Sequence, residues 1–363
     1  MNDLDFCEVI VRDITIECQS EAGGPGRPDG GLMDVLVLSA EDVARLLPMR
    51  ECIRVMREAL AALAEDKALV PLRMVMRMPD ASGFLGVMPG YIAPDGGRQG
   101  ALGMKAVSIF PGNAQRGIDT HQGAVLLFEA DTGRLSALMD GATITAIRTA
   151  AVSGVATDLL ARPDAAELAI LGAGVQARTH LEAIAAVRPL KRLRVWSRNP
   201  AHAENLVAES KGYYQAAIEA VPAAEAAVRG ADIVATVTAS PEPVVQRAWI
   251  KTGAHINAVG SSIPTSREID SATMAAARLF VDRRESALNE AGDVLIPMRE
   301  GAFAADHIQA ELGEVIIGKH PGRRSADELT LFKSLGLSVE DVASAAFIAM
   351  RARETGVGQT VHM

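Results

Sequence analysis

Between residues 165 and 282, short apolar runs alternate with stretches of helical period, and no other feature limits the fold as much. Residues 168–171, 193–196, 233–236, 256–259 and 279–281 each read as buried strands. The spacers carry helix signals. Asn199-Pro200, for example, sets a proline at the first helical position, where its missing N–H costs nothing. Apolar strands separated by helices make βαβ units and a parallel sheet covered on both faces.

Directly after the first of these strands stands Gly172-Ala173-Gly174-Val175-Gln176-Ala177, a G-x-G-x-x-A pattern in strand–turn–helix context. Gly172 permits the tight turn, Gly174 lets a pyrophosphate approach the backbone, and Ala177 keeps the helix close to the sheet. The free N–H groups at the helix start then face the anion. At the end of the second strand, NAD sites usually carry an acid for the ribose 2′-hydroxyl. This chain has Ser197-Arg198-Asn199 instead. Arg198 can pair with a 2′-phosphate and its two neighbours can donate to it, so the expected cofactor is NADPH, with NADH possible.

The 363 residues suit two domains of ordinary size, and 49% apolar content supports a packed core. A net charge of -9 gives no electrostatic reason to hold nucleic acid or an anionic membrane. No run is long and apolar enough for a membrane span. Three cysteines and seven histidines without metal-ligand spacing argue against disulfides and a catalytic metal, and the expected setting is the cytoplasm. Residues 1–32 contain a Gly/Pro-rich stretch and no secretory pattern. They are expected to form a flexible extension, or else an arm on a partner subunit, with the compact part opening at Met33.

Both ends of that compact part read as helical. Ser39-Ala40-Glu41-Asp42 has capping-box form, and apolar residues follow at helical spacing to Leu63. Ser338-Val339-Glu340-Asp341 repeats the form, with Val342, Ala346, Phe347 and Met350 behind it and Gly356 as a stop. The two ends are expected to pack into one domain that the middle of the chain interrupts.

Three cations stand in unusual places: Lys105 inside the apolar run 102–107, Arg73 just before an alternating strand, and Arg148 in a helix of small residues. A buried lysine needs a partner or a task. Together the three are suited to an anionic substrate, with Arg pairing a carboxylate through two N–H bonds and Lys adding a charge or a proton. Loops at 88–93 and 292–301 are expected to shape the rest of the pocket.

At these residues the chain resembles the ornithine cyclodeaminase/mu-crystallin family. The likeness rests on 105–123 ending in Thr-His-Gln-Gly, on ITAIRTAA at 144–151, on LGAGVQARTHLEAI at 171–184, on 253–260, and on the later 311–315 and 331–336 stretches. The resemblance implies a homodimer and an α/β architecture. A Rossmann dinucleotide-binding domain (151–317) would be inserted into an α+β substrate and dimerisation domain (33–150 and 318–363). It also implies that Arg73, Lys105 and Arg148 contact the substrate carboxylate, that Thr149 lies near the cofactor phosphates, and that Thr238, Ala239 and Val259 line the nicotinamide side.

One position departs from the family's cyclodeaminases. They carry an aspartate shortly after the fifth Rossmann strand, where this chain has Ser262. A lone serine hydroxyl is no general base near neutral pH. Glu268, six residues on, is expected only to cap a helix. Mu-crystallin-like ketimine reductases lack the same acid. The expected activity is therefore NADPH-dependent reduction of a small imino acid, such as 1-pyrroline-2-carboxylate or 1-piperideine-2-carboxylate, to an L-amino acid. Lys105 and Ser262 would serve as catalytic groups. Ornithine cyclodeamination, an amino-acid dehydrogenase, and a dinucleotide-carrying protein without catalysis are the alternatives.

Overall fold

The structure is a computed structural model that describes residues 34–96 and 100–363. The expected extension 1–32 and the boundary at Met33 lie outside the described residues. The chain opens with β1 (Asp34–Leu38) and α1 (Ala40–Leu46), where Ser39 and Asp42 form the expected capping box. The expected single helix to Leu63 is broken. Pro48 has no N–H to continue the ladder, so it becomes the N-cap of a second helix, α2 (Met49–Ala64). Strands β2 (Ala68–Leu69), β3 (Met74–Arg77), β4 (Phe84–Ile92), β5 (Ala101–Ile109), β6 (His121–Phe128) and β7 (Leu135–Asp140) follow. Helix α3 (Gly141–Leu160), capped by the Asp140 side chain, then runs from this sheet to the next. It is buried on nearly every side, which its Gly and Ala residues allow.

The second region alternates as the sequence predicts. It runs β8 (Glu167–Leu171), α4 (Val175–Val187), β9 (Arg192–Trp196), α5 (Pro200–Ser210), β10 (Ala217–Ala220), α6 (Ala224–Val228), β11 (Ile233–Thr236) and β12 (His255–Ala258). Then come α7 (Ser271–Ala276), β13 (Arg278–Val281), α8 (Arg284–Glu290), α9 (Gly292–Arg299), β14 (Ile308–Glu311), α10 (Leu312–Ile316) and β15 (Thr330–Lys333). The chain closes with α11 (Ser338–Thr355), stopped by left-handed Gly356, and β16 (Gln359–His362).

Two eight-stranded sheets result. The first is mixed, in the order β16-β1-β7-β6-β5-β4-β2, with β3 also on β4. The second is wholly parallel, β10-β9-β8-β11-β12-β15-β13-β14. Its order reverses at β8, the Rossmann switch point where ligands bind beyond the carboxyl ends of strands. The expected domain limits do not follow the sheets. Helix α3 passes through residue 150 without interruption. β15, expected in the substrate domain, lies between β12 and β13 in the parallel sheet. All four of its residues are buried, as a strand covered on both faces requires.

One apolar core joins the first sheet to α1, α2, α3 and α11, and two more cover the faces of the second sheet. Helix α11 lies close on β4 and β5. A Cβ on Gly90 would stand 3.0 Å from Ser338 Oγ, and one on Gly103 would stand 3.0 Å from Val342 Cγ2. This closeness brings the start of α11 down to Lys105.

Candidate active site

The three expected cations meet where β15 ends. Arg73, in the loop before β3, donates to the carbonyls of Leu335 (3.2 Å) and Gly336 (3.1 Å). Arg148, on α3, reaches the same Gly336, whose Cβ position is filled by its guanidinium. Lys105, on β5, shares Asp341 with Arg148: Lys105 Nζ lies 2.7 Å from Oδ2, and Arg148 Nε donates to Oδ1 at 2.8 Å. Lys105 and Arg148 are each 3% exposed.

Each cation has an internal counter-charge that sequence reasoning missed. Arg73 Nε pairs with Glu290 at 2.9 Å, and Arg148 NH1 with Glu340 at 2.7 Å. The second capping box is not formed. Leu337 is the N-cap of α11, no side chain caps it, and Glu340 and Asp341 turn to the cations. A buried guanidinium attracts a carboxylate more strongly than a local N–H does, because little solvent screens the charges. The adjacent Glu-Asp pair was the available signal. Asp282, after β13, completes the wall by accepting from Leu335 N (2.5 Å) and Gly336 N (2.9 Å).

Burial sets the proton affinities here. Desolvation, then the Arg148 charge, lowers Lys105 to about 8 despite Asp341. Desolvation also pushes Glu340 up to about 7, against the pull of Arg148. For Asp341 the sign is opposite. Burial alone would raise it, yet Arg148 and Lys105 together hold it below the usual carboxylate range.

The fingerprint folds as predicted. Gly172 has φ +113°, donates its N–H to Trp196 O at 2.8 Å, and leaves no room for a Cβ, which would lie 2.7 Å from Val237 O. Gly174 caps α4 without any side-chain hydrogen bond, and nothing lies within 4 Å of its would-be Cβ. Free amides beside open space are what an approaching pyrophosphate needs, so the residues fit a dinucleotide. Ala173 and Val175 complete the turn, and Ala177 is fully buried. Gln176 Nε2 reaches Thr145 O on α3 at 3.4 Å, one turn before Thr149. At the end of β9, Ser197 is half-buried, Arg198 is exposed and holds no ion pair among the described residues, and Asn199 Oδ1 caps α5 through Ala201 N.

Thr238, Ala239 and Val259 follow the carboxyl ends of β11 and β12. Ser262, three residues beyond Val259, is exposed, and its hydroxyl has no partner among the described residues. Glu268 does not cap a helix. It is fully buried and accepts from Thr236 Oγ1, Thr238 N, Thr238 Oγ1 and Gly260 N at 2.6–2.8 Å. Thr238 N lies beyond the end of β11 and needs a buried acceptor, and Gly260 N shares its hydrogen between Glu268 and Thr236 O (3.1 Å). His121 stands at the start of β6 with Nδ1 3.0 Å from Thr120 Oγ1. His180 and His255 are core histidines, bonded to Ser153 and Gln176 O, and to Thr330 and Asn257. No group of acids, histidines and cysteines suited to a metal occurs among the described residues.

Residues 33–356 match the model of the ornithine cyclodeaminase/mu-crystallin family. The chain belongs to that family. It is 44% identical over 278 residues to ketimine reductase mu-crystallin of Mus musculus, covering 77% of this chain and 83% of that one. It is 36% identical over 328 residues to a Delta(1)-pyrroline-2-carboxylate reductase of Bacillus cereus, covering 90% and 99%. Among solved structures, Delta(1)-pyrroline-2-carboxylate reductase of Thermococcus litoralis, in complex with NADH and L-proline, superposes with a TM-score of 0.87. Identity is 41%, over 90% of this chain and all of that one. An archaeal alanine dehydrogenase dimer with bound NAD superposes at 0.86 with 31% identity, over 91% of this chain and all of that one.

Proposed function

We propose that the chain reduces the carbon–nitrogen double bond of a small imino acid, giving an L-amino acid, with NADPH as the preferred donor. One observation carries the reading. Arg73 and Arg148 meet at Gly336, and Lys105 joins Arg148 through Asp341, just past the carboxyl end of a strand in the same parallel sheet whose first turn is the dinucleotide fingerprint. The names of the relatives above support it: ketimine and pyrroline-2-carboxylate reductases.

In this reading Arg73 and Arg148 hold the substrate carboxylate and Lys105 adds its charge. The wall already holds four carboxylates, Asp282, Glu290, Glu340 and Asp341, against three cations. Glu340, lifted to about 7 by burial, takes up a proton as another carboxylate arrives. Protonated Lys105 gives its proton to the imine nitrogen, which makes the adjacent carbon electrophilic, and Lys105 regains a proton from solvent. The bound dinucleotide supplies the hydride. Fixed charges orient the imine, and most of the rate gain is effective concentration. Ser262 hydrogen-bonds the substrate. Cyclic imines such as 1-pyrroline-2-carboxylate and 1-piperideine-2-carboxylate are the proposed substrates.

Thr149 stands by the phosphates, and Thr238, Ala239 and Val259 by the nicotinamide. The NADPH preference rests on exposed Arg198 and the absence of an acid at the end of β9. The cyclodeaminase alternative needs a free carboxylate near Ser262, and Glu268 is committed to four donors. A second copy is the proposed partner. Leu69, Leu72, Met74, Val75 and Met76 form an exposed apolar stretch along β2 and β3, suited to covering in a homodimer. Among the described residues no helix is long and apolar enough to cross a membrane, and the sparse cysteines suit the cytoplasm.

The test mixes the protein with NADPH and a panel of imino acids and follows the absorbance of the reduced nicotinamide. Oxidation with L-proline or L-pipecolate as product is expected. Ammonia release from ornithine, with no oxidation by any imine, would overturn the reading.

A further inference from the structure

Under the loops that leave β11 and β12 lies a second ionic cluster, separate from the cations at Gly336. Lys333, Asp293 and Glu268 are all 0% exposed. Lys333 Nζ donates to Ser261 O (2.6 Å) and Ala258 O (3.2 Å), and it lies 3.0 Å from Asp293 Oδ2. Asp293 Oδ1 accepts from Glu268 N (2.8 Å) and Ile269 N (3.0 Å). Glu268 in turn holds Thr236, Thr238 and Gly260. Desolvation first, and Asp293 second, raise its proton affinity.

Stability alone gives no reason for this arrangement. Burying three ionisable groups in charged form costs several kcal/mol each before pairing, and apolar residues of the same volume would often be as stable. What the cluster achieves is directional. The bonds of Glu268 and Lys333 end on backbone or hydroxyl groups of two short segments, Thr236–Thr238 and Ala258–Ser261, while Asp293 holds Lys333 and the backbone of Glu268 in place. The two are so close that a Cβ on Gly260 would lie 2.6 Å from Thr238 N. At the strand ends few backbone bonds hold these segments: Val237 N donates to Leu171 O (2.9 Å), and Val259 N and Gly260 N both donate to Thr236 O (3.0 and 3.1 Å). The cluster adds side-chain bonds to these and ties both segments to β15 before any ligand arrives.

We propose that Lys333, Asp293 and Glu268 are positioning residues that preform the cradle for the nicotinamide half of the dinucleotide; the proposal rests on the functional reading above. Ordering these loops in advance removes an entropic cost from cofactor binding and fixes the hydride donor against the substrate. The adenosine half, at the ends of β8 and β9, lies on other strands and does not depend on the cluster.

The test separates the two halves. Lys333→Met combined with Asp293→Asn removes the ion pair and keeps an acceptor for Glu268 N, and Glu268→Gln is the second variant. Binding of NADPH is compared with binding of adenosine 2′,5′-bisphosphate, which lacks the nicotinamide. Expected is a loss of about ten-fold or more in NADPH affinity, with the bisphosphate unchanged. Equal loss for both ligands, or no loss for either, would overturn the proposal. Amide exchange of the unaltered protein gives an answer even where variants fail to fold. The Thr238 and Gly260 amides are expected to be protected without cofactor, and protection arising only on NADPH addition would overturn it. A wild-type chain that binds neither NADPH nor NADH would sink the functional reading and this proposal with it. A variant that binds NADPH as tightly as a competent wild type would sink the proposal alone.

Discussion

Lys105 Nζ lies 2.7 Å from Asp341 Oδ2, and both side chains are closed to solvent. Asp341 is the attractive charge that offsets burial and Arg148 and leaves Lys105 at about 8. In the proposed reduction Lys105 must carry its proton, so turnover falls as pH rises through that value. Asp341→Asn removes the attraction and moves the falling limb to lower pH by about one unit or more. Steady-state rates across the neutral to alkaline range measure the shift, and a limb that stays in place refutes the coupling.

The two fingerprint glycines separate folding from binding. Gly172→Ala sets a side chain at φ +113° and against Val237 O, which costs about 1–3 kcal/mol. Gly174→Ala meets nothing within 4 Å. It is expected to melt like the unaltered protein while losing about ten-fold or more in dinucleotide affinity, because the methyl occupies the pyrophosphate's approach. Thermal melts beside cofactor titrations check both, and a Gly174→Ala protein with normal affinity contradicts the site.

Arg198 is exposed and unpaired among the described residues, so its removal leaves no buried charge behind. Arg198→Ala is expected to raise the KM for NADPH about ten-fold or more and leave that for NADH unchanged. Equal effects on both cofactors would mean that the 2′-phosphate is held elsewhere.

His180 and His255 make the fold acid-sensitive. Desolvation lowers their pKa values to about 4 and about 3. In the unfolded chain they bind protons below about pH 6.5, where the native state does not. Unfolding is therefore favoured as pH falls from there, by up to about 1.4 kcal/mol per pH unit for each histidine, until the folded values are reached. Tm measured from neutral to acid pH should fall more gently in His180→Gln, and identical slopes would disprove the linkage.

The parallel sheet was legible because its strands are buried on both faces and read as plain apolar runs, and because Gly172 and Gly174 punctuate the first turn. β15 was not, since Thr330-Leu331-Phe332-Lys333 is short and ends in a charge. That lysine is tolerated in the core only because Asp293 and two carbonyls meet it there. The two capping-box patterns show the same limit. Ser39 forms its box at an exposed helix start, whereas Asp341 faces two buried cations that local sequence does not reveal. The cations themselves were visible as charges in apolar runs. Their partners Glu290, Glu340 and Asp341 were not, because pairing across about two hundred residues leaves no local pattern.

The position of β15 bears on how the molecule is made. During synthesis β12 and β13 leave the ribosome well before the strand that separates them, and α11 follows later still. Until then the parallel sheet has a gap between β12 and β13, and Lys105 and Arg148 lack Glu340 and Asp341. Neither half of the chain can be finished first, so a product stopped short of residue 330 inherits both defects together.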